Sequence, residues 1–337
     1  SNALLPLVIS GGVNEGDGIS PNEIDFSLIA KVSLLIYVIT FILLALRWKK
    51  VFFTIADNKF IWMLMGVVGF SYFWSFAPGD TLRFSIYAFG TTGLGLYLAT
   101  RYTLREQVDI LSWTYALMVV LSILFVIALP KYGLMGGVHE GALRGIFTHK
   151  NQFGAVMVPG VVIFLLKALR NERNSWIYWI FLGTTITLLI LSQSTTALAT
   201  TALMLILCLI YRIFRWRYEI MVSVILAAII VGMFALLWFT VYVGSDSLLD
   251  AVGKDSTFSG RTLIWQYVWD KIQERPLFGY GLAAFWNDMN GPSSYVILAM
   301  GGINVVYAHN GFLDMCLSIG LIGLSIFLTC YFSTAIK

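Results

Sequence analysis

The stretch "VDILSWTYALMVVLSILFVIAL", Val108 to Leu129, carries one charged side chain, Asp109, in an otherwise apolar run. A helix rises about 1.5 Å per residue and the hydrocarbon core of a bilayer is about 30 Å thick, so roughly 17–25 mostly apolar residues span it. Comparable runs lie at Ser27–Leu46, Phe60–Ala77, Arg83–Thr100, Gln152–Leu169, Trp176–Ser192, Thr195–Tyr211, Glu219–Val243 and Ala308–Phe332. The composition agrees: 58% of the 337 residues are hydrophobic and 12% charged, with a mean hydropathy of +0.82. A soluble chain has about 45–50% apolar and about 25% charged residues, and one water-soluble core could not hide this much apolar surface. The pattern predicts an all-α, polytopic helical bundle of about 9–12 transmembrane helices in one domain, 4–337.

Several features narrow the class. Cys208, Cys316 and Cys330 sit inside apolar runs, which argues against a disulfide framework. Eleven Trp and sixteen Tyr suit interfacial belts. A net charge of +4, unevenly placed, does not point to nucleic acid. Ser1–Ala3 reads as the scar of a removed tag. Leu4–Ile9 is too short to span and is expected to be the tail of a helix, and helices are expected to be lost at one or both termini. No internal repeat is visible.

Orientation follows from Lys and Arg in the connections. Arg47, Lys49, Lys50 and Lys59, then Arg101 and Arg105, then Lys167, Arg170 and Arg173, then Arg212, Arg215 and Arg217 fall on one side, expected to be cytoplasmic. The intervening connections "SGGVNEGDGISPNEID", "APGDTL" and "SQST" have none. Two longer outer segments remain, Pro130–Asn151 and Gly244–Tyr307, the second long enough to form a cap over a site. All three histidines, His139, His149 and His309, lie in or beside these segments.

Helices that begin on the outer side present free N–H groups and a positive dipole end there, which suits an anion. "LRGIFTHKNQFG" puts Arg144, His149, Lys150 and Asn151 before one such end, "AHNG" puts His309 and Asn310 at another, and "SQSTT" puts Ser194 and Thr195 at a third. "DSTFSGRTLIWQYVWDKIQERP" offers Ser259 as an N-cap and Arg261 at the head of an amphipathic stretch that stops at Pro276, expected to lie along the membrane surface. An Arg fork beside a helix N-terminus fits a phosphate. Plainer readings stand beside these: outer lysines such as Lys131, Lys254 and Lys271 contact headgroups, the Ser/Thr cluster caps a helix, and "GYGLAAFW" is a tight turn. No HExxH or paired-cysteine spacing marks a metal site, and none is expected.

These residues resemble a family. "HNGFLDMCLSIGLIG" fits the pattern His-[Asn/Ser/Gln]-x9-Gly-x2-Gly of the bacterial O-antigen ligase and Wzy-type polymerase superfamily through His309, Asn310, Gly320 and Gly323. "GKDSTFSGRTLIW", "RPLFGYGLAAFW", "LRGIFTHKNQFG" and "LSQSTTAL" resemble its exopolysaccharide polymerase (ExoQ-like) branch. The five motifs run from Arg144 to Gly323, and Thr195 stands where many relatives have a basic residue. The resemblance implies a GT-C-like, metal- and cofactor-independent glycosyltransferase of the bacterial inner membrane, working at the periplasmic face. Its donor would be a saccharide on a polyprenyl (undecaprenyl) diphosphate. Its acceptor would be a lipid-linked repeat unit for a polymerase, or lipid A core for an O-antigen ligase. Membrane lipids and polysaccharide assembly proteins are the other partners implied.

Family roles carry over to Arg144 and Arg261 as diphosphate contacts and to His309 as the catalytic residue. The expected substrate contacts are His149, Lys150, Asn151, Ser194 and Asn310. A diphosphate leaves as a stable anion, so the paired carboxylates of a glycosidase are not needed, while a base for the acceptor hydroxyl is. The positive end of its own helix should keep His309 neutral. A transporter would instead place polar groups near the midplane of the spanning helices, and those interiors are nearly free of charge.

Overall fold

The computed structural model describes residues 27–170, 174–214, 261–287, 291–302 and 305–336, and the apolar runs in them fold as helices. In order these are α1 (Ser27–Ala45), α2 (Trp48–Asp57), α3 (Lys59–Phe70), α4 (Pro78–Arg101), α5 (Leu104–Ala128), α6 (Lys150–Ala168), α7 (Ser175–Leu191), α8 (Thr195–Phe214), α9 (Arg261–Glu274), α10 (Ser294–Ala299) and α11 (Gly311–Ile336). The expected segments Leu4–Ile9 and Glu219–Val243, together with Lys254, Ser259 and Gly260, lie outside the described residues. Among the described residues α5, α6, α8 and α11 are long and apolar enough to cross a membrane, and α1 with α2 forms a pair bent by 96°. α3 and α7 are apolar but shorter. α4 has the length, but its glycines, threonines and tyrosines make it more polar. α1 turns Leu34, Leu35, Val38 and Ile42 outward, which is the arrangement expected where lipid is the solvent. The protein is an all-α polytopic membrane protein.

The described residues fall into two compact units, one taking in 102–228 and the other 32–101 and 229–337. In the first unit, α5 starts at a capping box: Thr103 accepts from the Glu106 N–H and the Glu106 carboxylate accepts from the Thr103 N–H, two orphan donors satisfied at once. Pro130 cannot continue the helix and opens a single turn, Pro130–Gly133. α6 is the hub. Phe153, Met157, Val161 and Phe164 are fully buried against α5, α7 and α8. A Cβ on Gly154 would strike Ala197 and one on Gly160 would strike Tyr115, so small residues set how closely the neighbours approach, as is usual between helices in lipid. The lone charge of the opening stretch has a partner here: Asp109 accepts from Lys167 Nζ at 2.6 Å, and the ammonium lies 4.8 Å from the Tyr178 ring centre.

In the second unit, α3 ends in a 3-10 turn, Ser71–Trp74, and packs against α11. α9 places Ile264, Val268 and Ile272 on one stripe. The stripe is buried in protein, on Tyr280, Phe285, Val296, Ala308 and Leu317, while Leu263 and Trp269 face outward. Lys271, read from sequence as a headgroup contact, pairs with Glu274 at 2.7 Å and lies over the Tyr295 ring.

α11 is two helices rather than one. Gly320 has φ 68° and ψ −174°, a region open essentially to glycine alone. The carbonyls and N–H groups freed by this break are taken up by the stretch that follows α9. Tyr280 N donates to Leu317 O at 2.7 Å and Gly281 N to Ser318 O at 3.0 Å; Leu321 N donates to Pro276 O at 2.8 Å and Ile322 N to Leu277 O at 3.3 Å. The other side of the stretch is tied to the α3–α4 connection by Trp74 Nε1 to Phe278 O and Phe76 N to Tyr280 O, and to the first turn of α4 by Thr81 Oγ1 to Leu282 O. "RPLFGYGL" is therefore a wedge that fills a helix break, and its glycines are there for close approach: a Cβ on Gly279 would meet the Leu317 carbonyl.

Candidate active site

The site is built at the N-terminal ends of α9 and α11, both in the second unit. Arg261 is the first residue of α9 and is exposed. One turn on, Trp265 donates its indole N–H to the Ala308 carbonyl at 2.8 Å. The Ala308 N–H donates to Asp314 Oδ1 at 3.0 Å, and the same oxygen accepts the Trp286 indole N–H at 2.8 Å. His309 follows in the left-handed region, φ 54°, where a Cβ is disfavoured. Its ring lies 4.2 Å, centre to centre, from that of Tyr307. Asn310 then caps α11: its Oδ1 accepts from Phe312 N at 3.0 Å and Leu313 N at 3.4 Å, and its carbonyl accepts from Asp314 N.

Electrostatics favour a neutral imidazole. Partial burial pushes the His309 pKa below the usual imidazole value, the Arg261 charge adds in the same direction, and Asp314 opposes both. Burial and the neighbouring guanidinium thus act in the direction expected of the helix dipole. Behind this end of the unit, burial and the Glu274 carboxylate raise the Tyr280 phenol far above its ordinary value. That phenol stays a donor, to Glu274 Oε2 and the Lys271 carbonyl, each at 3.0 Å.

The remaining candidates lie in the first unit. Arg144 is completely buried. Its Nε donates to Tyr132 O at 3.0 Å, Nη2 to Lys131 O at 3.0 Å and Nη1 to Thr148 O at 3.3 Å, so the guanidinium ties the Pro130–Gly133 turn to the threshold of α6. His149 is the N-cap of α6, with Nδ1 accepting from the Asn151 N–H at 3.1 Å. Asn151 Oδ1 accepts from buried Ser194 at 3.0 Å. His149, Asn151 and Ser194 thus form one chain of contacts, and the His139 ring lies 5.9 Å from that of His149. Lys150 is half-buried beside them. The structure brings Arg261, His309 and Asn310 together in one unit, and the other five in the other. Among the described residues no three His, Cys, Asp or Glu gather as a metal site.

Trp265, Trp286 and Asp314 went unread in the sequence. An acid in the first turn of a helix, four residues past its cap, is a signal for Asp314. The i, i+4 spacing places Trp265 beside Arg261.

The second unit of this all-α membrane protein thus holds an imidazole, a guanidinium and a capped helix N-terminus in one region. Residues 180–328 match the O-antigen ligase family. This segment holds Ser194, Arg261, His309, Asn310, Gly320 and Gly323 but not Arg144 to Asn151. The chain is 28% identical over 343 residues to the exopolysaccharide production protein ExoQ of Rhizobium meliloti (strain 1021), covering 97% of this chain and 77% of that protein. No solved structure matches.

Proposed function

We propose that the protein is a membrane glycosyltransferase that lengthens a bacterial surface polysaccharide at the periplasmic face of the inner membrane. It passes saccharide from a polyprenyl diphosphate to the hydroxyl of an acceptor sugar. The observation that carries this reading is that His309, just before the start of α11, lies within electrostatic reach of Arg261 at the start of α9, inside the segment that matches the O-antigen ligase family. The acceptor oxygen attacks the anomeric carbon from the face opposite the diphosphate. The bond from that carbon to the phosphate oxygen breaks, and its electron pair leaves with the diphosphate. The hydroxyl proton passes to the neutral His309 imidazole, a contribution of about 10²–10⁴-fold, and Arg261 holds the charge that collects on the leaving group. One displacement inverts the anomeric centre.

Arg144 enters this proposal through the family resemblance. To meet a phosphate, its guanidinium would exchange carbonyl bonds within its own unit. Outward placement of the site follows from the basic residues in the opposite connections.

The second reading keeps the chemistry and changes the acceptor to lipid A core. The similarity to a protein of exopolysaccharide production favours polymerisation. Purified protein incubated with lipid-linked repeat units alone decides between them. Longer chains support polymerisation, and product that forms only when lipid A core is added overturns it in favour of ligation. Loss of all product in His309→Ala, with the fold retained, is expected; normal turnover there would remove the base.

A further inference from the structure

We propose that Trp265 and Asp314 are positioning residues for His309, gripping the Ala308 peptide units from both sides and so fixing the imidazole beside Arg261. This rests on the reading of His309 as the base.

Three observations carry it. First, both polar groups of buried Ala308 are committed: its carbonyl to the Trp265 indole at 2.8 Å, its N–H to Asp314 at 3.0 Å. Second, His309 sits at φ 54°, a conformation that persists for a residue with a Cβ only when its surroundings over-determine it. The grip acts immediately before it and the Asn310 cap immediately after. Third, Trp265 lies one turn from Arg261 on the same helix. The element that presents the guanidinium is therefore hydrogen-bonded to the residue that precedes the imidazole.

Asp314 does more than accept hydrogen bonds. Among the described residues, the charged or titratable groups facing His309 are Arg261 on α9, Asp314 on α11 and the adjacent Tyr307. Asp314 favours the imidazolium and Arg261 disfavours it. The carboxylate thus both sets the place of the imidazole and keeps its basicity from falling further.

The test separates the two jobs with conservative variants of the full chain in the polymer-extension assay. Trp265→Phe keeps the ring and removes the donor. It should lower kcat by about 10²-fold, the scale of a misplaced reacting group, with the KM for donor and the acidic limb of the pH profile unchanged. Asp314→Asn keeps an acceptor oxygen and removes the charge. The limb then moves to lower pH, because a group that favoured the imidazolium has gone, and kcat on the plateau stays near wild type. Asp314→Ala should lose both, and its plateau kcat should be rescued in Asp314→Asn. A readout that needs no turnover is the NMR titration of the His309 imidazole, one of three histidines in the chain, which should shift downward in Asp314→Asn and hold still in Trp265→Phe. Wild-type kcat in Trp265→Phe, or an unmoved titration in Asp314→Asn, overturns the proposal. Full activity in His309→Ala instead overturns the base, while the imidazole titration still judges the grip.

Discussion

Gly320 lies against the Leu277 carbonyl with no room for a side chain between them. Gly320→Ala would put a Cβ into that carbonyl at φ 68°. The conformation alone costs on the order of 1–3 kcal/mol for a residue with a Cβ, and displacing the wedge adds the bonds that Leu321 and Ile322 donate to it, so a loss of about 3 kcal/mol or more is expected. The atoms nearest a Cβ at Gly323 belong to the Ile319 side chain rather than to backbone, so Gly323→Ala should cost less. Thermal melting of the two variants in detergent checks this ordering.

Lys167 is almost fully buried whereas Asp109 is 42% exposed at its side chain and has Arg170 at 3.9 Å as a second cation. Asp109→Asn strands a buried ammonium and should destabilise by about 3 kcal/mol. Lys167→Met leaves a carboxylate that water and Arg170 can satisfy and should cost about 1 kcal/mol. Equal losses in denaturant unfolding would contradict this asymmetry.

The acidic limb of activity should lie below the usual imidazole range, since burial and Arg261 both disfavour the charged form of His309. Arg261→Gln removes one of these influences. The pKa of His309 then rises and the limb moves to higher pH, while the KM for the diphosphate donor increases. Arg261→Lys keeps the charge but not the fork, so it should hold the limb in place and still bind donor poorly. The pH dependence of kcat/KM for the three proteins is the measurement.

Arg144→Lys cannot reach the Lys131, Tyr132 and Thr148 carbonyls together, because an ammonium lacks the planar spread of a guanidinium. A fall in stability of about 2–4 kcal/mol is expected from the buried acceptors left without donors. Unchanged melting with lost activity would instead favour direct contact with the diphosphate.

Apolar runs were legible because a bilayer imposes one length and one composition. Gln152–Leu169 was expected and Lys150–Ala168 is found; Trp176–Ser192 was expected and Ser175–Leu191 is found. α5 begins earlier than Val108, at Leu104, because the Thr103–Glu106 box captures a polar turn that hydropathy excludes. The break in α11 was hidden, since Gly320 interrupts the backbone without interrupting the apolar run; only its partner stretch, distant in sequence, explains it. His309 and Arg261 were legible as rare polar residues at helix starts. The inward turn of Arg144 was not, because a guanidinium that binds phosphate and one that binds carbonyls are spelled alike.

Asp314 Oδ1 accepts from Trp286 and from Ala308, so a single oxygen closes both ends of the span 287–307. Such a closure couples both ends of the span to the first turn of α11, and Val296 within it seats on the α9 stripe. A change of length there would pull on both anchors of the peptide that precedes the imidazole.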